Sequence, residues 1–187
     1  MTDILPLAAN LAALASALIL LGLSLGQLLQ PAIGFWPPPA PESWQSRLFR
    51  ALFRVLFYGL LIGSFAWLWQ NGAAVSPLRI GVSALLFCIG FGVALAATGA
   101  LGWGNAFGAQ DGLRTTGIFA YSRNPIYLAT FFGLAGWGLL VSEPMIRVVL
   151  ILWAILYVVA VFLEERWLSE RYGADFDAYR NRVRRFV

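Results

Sequence analysis

Five long runs without a charged residue dominate this sequence and restrict the folds it can adopt. The first begins with about 26 apolar residues after Asp3, and the others have 24, 31, 19 and 16 residues. These four lie between Arg54 and Arg79, Arg79 and Asp111, Arg123 and Glu143, and Arg147 and Glu164. A helix needs roughly 20 apolar residues to cross a bilayer, and hydrocarbon cannot satisfy an open backbone. The runs therefore predict an all-α integral membrane bundle of five transmembrane helices.

The composition excludes several classes of protein. Hydrophobic residues make up 60% of the chain and charged residues 12%, with a mean hydropathy of +0.75, whereas a soluble domain has about 25% charged residues. This composition excludes disordered chains and nucleic-acid-binding proteins. A disulfide scaffold is also excluded, since Cys88 is the only cysteine. The chain has no histidine, which removes histidine-based metal sites and a Ser-His-Asp triad.

The arginines predict the orientation of the bundle. All thirteen basic residues are arginines, and eleven of them lie in the first and third connections and in the tail. Only Arg79 and Arg147 lie in the other two connections. Because basic residues favour the cytoplasmic side, we expect a cytoplasmic tail and active site, with the N-terminus outside.

We expect a single membrane domain over residues 1–187. Residues 1–75 would form two spans joined by a proline-rich loop, and residues 76–187 would form three spans and a C-terminal helix. The first run has no basic segment before it and exceeds ~7–15 apolar residues, so we expect a retained helix and not a cleaved signal peptide. Its Gly22-xxx-Gly26 pattern predicts close packing of helices.

The tail from Glu164 to Val187 has a large apolar residue at every third or fourth position. This spacing places five residues on one helical face, with arginines between them: Tyr172, Phe176, Tyr179, Val183 and Phe186. An amphipathic helix along the inner headgroup layer fits the pattern. A helix packed over the protein's own cytoplasmic mouth fits it equally well.

Residues 116–127 form the first stretch with residues suited to chemistry. Asn124 is a good N-cap and Pro125 a good first residue for the fourth span. A helix N-terminus beside the charge of Arg123 favours an anion. The alternative is that the stretch only starts a helix, with Arg123 as a membrane anchor.

Glu164 and Glu165 form the second stretch. They follow a run of 16 residues, too short for a full span, so they lie near the inner boundary, where adjacent carboxylates need a cation. That cation is either a ligand or a neighbouring side chain such as Arg123 or Arg166. With the glycine-rich loop of residues 102–124, the two stretches describe a pocket for a zwitterionic, cationic cofactor.

Residues 98–187 resemble the integral-membrane methyltransferases that include isoprenylcysteine carboxyl methyltransferases and phospholipid N-methyltransferases. The resemblance rests on residues 113–128, which read LRTTGIFAYSRNPIYL, and residues 164–186, which read EERWLSERYGADFDAYRNRVRRF. The order, spacing and placement of these stretches agree with the family. Trp103 is a departure, because many relatives carry an arginine in that loop, which could hold a substrate carboxylate.

The resemblance implies S-adenosylmethionine as the methyl donor. It also implies a site built from the third loop, the start of the fourth span and the tail. The cofactor-binding residues carried over by position are Gly102, Gly104, Gly117, Tyr121, Ser122, Arg123, Asn124, Pro125, Tyr127, Glu164 and Glu165. Of these, Arg123, Glu164 and Glu165 would be catalytic.

Three functions stay open at this point. The first is an S-adenosylmethionine-dependent methyltransferase acting on a lipophilic, membrane-dissolved acceptor, similar to isoprenylcysteine carboxyl methyltransferases. The second is a phospholipid N-methyltransferase acting on an aminolipid headgroup, and the third is a non-enzymatic membrane scaffold. The expected partners are a lipophilic small molecule or lipid substrate and the membrane lipids, with no nucleic acid.

Overall fold

Helices make up the fold in the computed structural model, which describes residues 4–106 and 112–187. In chain order they are α1 (Ile4–Leu29), α2 (Trp44–Asn71), α3 (Pro77–Leu101), α4 (Trp103–Ala106), α5 (Pro125–Leu140), α6 (Pro144–Tyr172) and α7 (Ala174–Arg182). Short 3-10 turns occur at Pro31–Ile33, Gly72–Ala74 and Gly117–Ala120. Asp3, Asp111 and part of the glycine-rich loop lie outside the described residues.

Local sequence signals set where the helices begin. The side chains of Ser43, Ser76 and Glu143 accept hydrogen bonds from backbone N–H groups in the first turns of α2, α3 and α6. Proline occupies the first turn of α3, α5 and α6, where its missing N–H has no partner to lose. The start of α5 at Pro125 is confirmed.

Four helices, α1, α2, α3 and α6, are long and apolar enough to cross a membrane. Helix α5 has 16 residues, or about 24 Å at ~1.5 Å per residue, which is less than the ~30 Å of a hydrocarbon core. Large apolar side chains on the long helices are exposed, among them Leu18, Phe65, Leu85 and Ile151. Such a surface is unfavourable in water, so the fold supports an all-helical integral membrane protein.

Small residues let the helices approach closely. Helix α1 packs on α2 and α6, and α5 packs on α3 and α6. A Cβ added at Gly90 of α3 would lie 2.2 Å from the backbone nitrogen of Gly133 in α5. Gly22 has no such role, since a Cβ there would meet no neighbouring atom within 4 Å. A Cβ at Gly26 would lie 3.6 Å from Cδ1 of Ile33, an ordinary contact with the turn after α1. Within the described residues this glycine pair therefore does not bring two helices together.

Arg79 and Arg147 hold the C-terminal end of α5. Arg79 donates from Nε to the carbonyl of Leu139 at 2.6 Å and from Nη2 to the carbonyl of Leu140 at 3.0 Å. Arg147 donates from Nε to the carbonyl of Val141 at 3.2 Å. These carbonyls have no partner within the helix, so the arginines satisfy them. Helix α5 thus ends beside the start of α3, at the opposite end of the bundle from its own N-terminus.

The tail differs from the single helix that the spacing predicts. Helix α6 continues past both glutamates to Tyr172, so they lie inside it and not at its end. Gly173 then has a φ of 49°, which residues with a Cβ disfavour, and the chain turns into the shorter α7. Phe176 and Tyr179 of α7 are buried against the loop before α5. Phe186 lies beyond α7 and is not on its face.

Gly90→Ala is expected to destabilise the packing of α3 on α5, because the added methyl group overlaps the backbone at Gly133. Overpacking of this kind costs about 1–3 kcal/mol. Gly92→Ala is the matched control on the same helix, since a Cβ at Gly92 meets no neighbouring atom within 4 Å. Thermal unfolding in detergent should show a lower midpoint for Gly90→Ala alone. Equal midpoints would contradict the close approach.

Candidate active site

Polar side chains gather at the end of the bundle where α1, α3 and α6 end and α2 and α5 begin. Two adjacent residues of α6, Glu164 and Glu165, lie at the centre of this group. Successive residues on an α-helix point about 100° apart. The two carboxylates therefore face different neighbours, and the structure gives each its own set of partners.

Glu165 accepts hydrogen bonds in a group that we term the Glu165 clamp, formed by Arg123, Asn124, Glu165 and Arg185. Arg123 donates from Nε and Nη2 to Oε1 at 3.1 and 3.0 Å, and Asn124 donates from Nδ2 to the same oxygen at 3.2 Å. Arg185 donates from Nε and Nη2 to Oε2 at 3.0 and 2.8 Å. The side chain of Glu165 is only 10% exposed. The protein itself therefore supplies the cations that this buried carboxylate requires.

The clamp also fixes the tail over the loop before α5. Nη1 of Arg123 donates to the carbonyls of Arg180 and Val183 at 3.0 and 2.6 Å. The hydroxyl of Tyr179 donates to the carbonyl of Phe119 at 2.6 Å. Burial raises the pKa of the Tyr179 hydroxyl to about 12, so it stays a neutral donor at physiological pH.

Glu164 belongs to a second group, the Glu164 cluster, with Trp36 and Tyr127. The indole Nε1 of Trp36 donates to Oε1 of Glu164 at 2.9 Å, and the hydroxyl of Tyr127 donates to the same oxygen at 2.6 Å. Among the described residues, none forms an ion pair with Glu164 or donates to its Oε2. Within the described residues Glu164 thus has neutral donors alone, and a cationic ligand could supply its counter-charge.

A cavity with about 850 Å³ of empty space, part of it open to solvent, lies beside the Glu164 cluster. We term it the loop-side cavity. Arg114, Arg123 and Glu164 give its walls charges of both signs. Aromatic side chains make up much of the rest, including Trp36, Phe119, Tyr127, Trp167, Tyr172 and Tyr179. The cavity thus combines charged and aromatic surfaces.

A second cavity, with about 1200 Å³ of empty space, part of it open to the outside, lies among the helices. We term it the aromatic cavity because nine of its described lining residues are aromatic, namely Trp36, Phe49, Phe53, Phe57, Phe91, Trp103, Tyr127, Trp153 and Tyr157. Glu164 is the one charged side chain among the described residues that line it. The two cavities adjoin at shared residues, namely Trp36, Leu101, Ala106, Ile126, Tyr127 and Glu164.

The structure brings five of the predicted cofactor-binding residues to the loop-side cavity. They are Arg123, Asn124, Pro125, Tyr127 and Glu164. They come from the start of α5 and from α6, as the motif stretches imply.

The other predicted residues lie elsewhere. Glu165 is held in the clamp, and Tyr121 and Ser122 line a separate surface groove. Gly102 ends α3 with a φ of 95°, Gly104 lies in α4, and Gly117 begins a 3-10 turn with a φ of 63°. The positive φ values at Gly102 and Gly117 are a backbone reason for glycine at those positions.

The sequence left open that the two glutamates pair with a neighbouring arginine and not with a ligand. This alternative is correct for Glu165 and Arg123 but not for Arg166. The ion pair of Glu165 with Arg123 is confirmed at 3.0 Å, whereas Arg166 pairs with Glu170 on the surface at 3.0 Å. Asn124 stands at the N-cap position of α5, but its side chain makes no capping bond there. It donates to the clamp instead.

Sequence reasoning missed Trp36 and left Arg114 without a role. Arg114 lies inside one of the two motif stretches, so its position beside the predicted pocket was a usable signal. Trp36 lies in the connection between α1 and α2, 128 residues before Glu164. Neither periodicity nor motif spacing links the two, and only the packing of α1 on α6 brings them together.

Comparisons with known proteins match the second half of the chain. The sequence profile of the phospholipid methyltransferase family matches residues 78–175, a little over half of the chain. A protein-S-isoprenylcysteine O-methyltransferase of Saccharomyces cerevisiae is 34% identical over 70 residues, which cover 36% of this chain and 29% of the relative. The match therefore spans less than a third of that relative's length. No solved structure matches the chain.

Glu165→Gln is expected to release the tail, because it leaves the guanidinium groups of Arg123 and Arg185 without their counter-charge. Breaking a buried pair costs about 3–5 kcal/mol. Glu170→Gln is the control, since its pair with Arg166 is more than half exposed on both sides and surface pairs contribute ~1 kcal/mol or less. Limited trypsin digestion should cut the Glu165→Gln tail faster. Equal cleavage rates in the two variants would count against the clamp.

Proposed function

The chain belongs to the phospholipid methyltransferase family, and from this premise we propose that it is an S-adenosylmethionine-dependent methyltransferase acting on a lipophilic, membrane-dissolved acceptor. The observation that carries the proposal is the position of Glu164. Its carboxylate lines both the loop-side cavity and the aromatic cavity. A hydrophilic donor and an apolar acceptor could therefore meet beside one residue.

The residues of the loop-side cavity fit S-adenosylmethionine. When bound, this donor supplies a methyl group on a sulfonium, whose sulfur keeps the S–C electron pair when a nucleophile takes the methyl group. Arg114 is exposed and lines the cavity, so it can hold the donor's carboxylate. Glu164 and the aromatic walls suit its cationic groups, by charge and by cation–π contact.

Arg123 has a different role in this proposal. Its Nε, Nη1 and Nη2 groups donate to Glu165 and to tail carbonyls. It therefore acts as a positioning residue that keeps the tail over the loop-side cavity. Glu165 acts in the same way, and neither is needed as a direct ligand of the donor.

The aromatic cavity supports an apolar acceptor. An apolar acceptor that filled this cavity would displace water beside Glu164 and so strengthen the charge interactions there. The name of the yeast relative, a protein-S-isoprenylcysteine O-methyltransferase, favours an isoprenylcysteine-like acceptor as the first candidate. Alignment of the nucleophile with the methyl group would be the protein's main contribution to the rate.

The proposal includes a topology of five crossings with the site in the cytoplasm. Helix α5 begins at the Glu165 clamp and ends at Arg79, beside the start of α3, so this short helix of 16 residues would be the fourth crossing. The eleven arginines in the connections and tail at the clamp end favour the cytoplasmic side. Residues 1–75 would then form two spans around the core of residues 76–187.

Glu164→Gln is expected to weaken the binding of S-adenosylmethionine more than that of S-adenosylhomocysteine, because only the former carries the sulfonium charge. A hydrogen bond or contact with a charged group contributes about 1.5–3 kcal/mol, so the affinity for the cationic ligand should fall roughly tenfold or more. Isothermal titration calorimetry in nanodiscs measures both ligands, with Glu170→Gln as the control on the same helix. Equal losses for the two ligands would contradict a role at the sulfonium. If the folded wild type bound neither ligand, the scaffold alternative would replace the enzyme.

An aminolipid headgroup is a second candidate acceptor, favoured by the charges around the aromatic cavity. Among the described residues lining it, Trp103 stands where many relatives carry an arginine, and no arginine replaces it. A substrate carboxylate would therefore lack a cation there, whereas an ammonium group could give its proton to Glu164 before methylation.

Transfer of a radiolabelled methyl group to matched acceptors separates the two candidates. Prenylcysteines offer a carboxylate, and aminolipids such as phosphatidylethanolamine offer an amine. If Glu164 serves as a base, aminolipid methylation should fall more than about 100-fold in Glu164→Gln. Labelling of prenylcysteine alone by the wild type would rule out the amine candidate.

A further inference from the structure

Trp36 is held more firmly than a residue in a connecting loop usually is. The side chain of Gln27 in α1 accepts a hydrogen bond from the Trp36 N–H at 2.7 Å and donates to the Trp36 carbonyl at 2.6 Å. The preceding residue, Phe35, is fully buried. The backbone on both sides of the indole is therefore fixed to the bundle.

The indole ring has an equally defined position. It packs on the ring of Phe49 in α2 with centroids 4.3 Å apart, and its Nε1 donates to Glu164 at 2.9 Å. The residue is 8% exposed. One side of the ring is thus anchored on α2 and its polar edge on α6.

The indole also lies where the two cavities adjoin. Trp36 is the shared lining residue that comes from the connection between α1 and α2, whereas the other described ones follow residue 100. This connection lies outside the residues matched by the family profile. The packing of the Trp36 ring on Phe49 would stabilise the fold without a polar contact, but the indole N–H also donates to Glu164.

We propose that Trp36 is the partition between the two cavities. Its ring keeps polar solutes of the loop-side cavity out of the aromatic cavity, and its N–H holds the Glu164 carboxylate at the boundary. The biological meaning of this partition rests on the proposed function, since it confines the methyl donor to one side and the acceptor to the other. The partition itself is testable without turnover.

The test uses single cysteines in nanodiscs and a charged thiol reagent, 2-sulfonatoethyl methanethiosulfonate. The native Cys88 is exposed and is first replaced by serine. Ala160→Cys reports on the aromatic cavity, because Ala160 lines that cavity and lies one helical turn before Glu164. Arg114→Cys reports on the loop-side cavity and serves as the accessibility control.

Trp36→Ala should make the cysteine at position 160 react about tenfold faster, because the reagent can then pass from the loop-side cavity. The cysteine at position 114 should react at the same rate with or without Trp36. Trp36→Phe keeps most of the ring volume, so the rate at position 160 should stay close to that of the chain with Trp36. Gln27→Ala frees the backbone of Trp36 without changing the indole, and should give an intermediate rate.

The partition would be overturned if the labelling rate at position 160 were the same in Trp36→Ala, in Gln27→Ala and in the chain that keeps both residues. This holds whether that common rate is high or low. A rate that rises equally at positions 160 and 114 would also overturn it, since that result reports general unfolding. The labelling outcome is independent of donor binding. Failure of the partition is therefore distinguishable from failure of the methyltransferase proposal, which the binding measurements decide.

Discussion

The site depends on one electrostatic constraint, the burial of the Glu165 carboxylate at the edge of an apolar helix bundle. A carboxylate in that position is stable only with compensating charge, and Arg123 and Arg185 supply it from opposite sides. Because Arg185 is near the end of the chain, this compensation draws the tail across the loop before α5. The position of Tyr179 in the wall of the loop-side cavity follows from that arrangement.

The two adjacent glutamates then have different partners and different roles. Glu165 is neutralised by the protein and holds the structure together, whereas Glu164 has neutral donors alone among the described residues, Trp36 and Tyr127. We propose that a cationic ligand supplies its counter-charge. The turn of about 100° between successive helical residues is sufficient to separate these roles. A helix can in this way place two carboxyl groups with different surroundings one residue apart, with one facing the tail and the other facing two cavities.

Much of this arrangement could be predicted from the sequence, for identifiable reasons. Uncharged runs predict the long helices because burial in lipid excludes charge, and the start of α5 at Pro125 follows from local backbone preferences. The division of roles between Glu164 and Glu165 could not be predicted, since both have the same chemistry and only the bundle decides which one meets arginine. The helix break at Gly173 was also not predicted, because the apolar spacing of the tail continues across that residue. Trp36 was unpredictable because its contact with Glu164 depends on how distant helices pack.

The central claim is that Glu164, and not Glu165, faces the methyl donor. An experimental structure of the protein with S-adenosylhomocysteine tests this most directly. The account predicts the nucleoside in the loop-side cavity, the thioether sulfur beside Glu164, and Glu165 still paired with Arg123 and Arg185. A ligand whose sulfur or amino group lies against Glu165, with either arginine displaced, would contradict it.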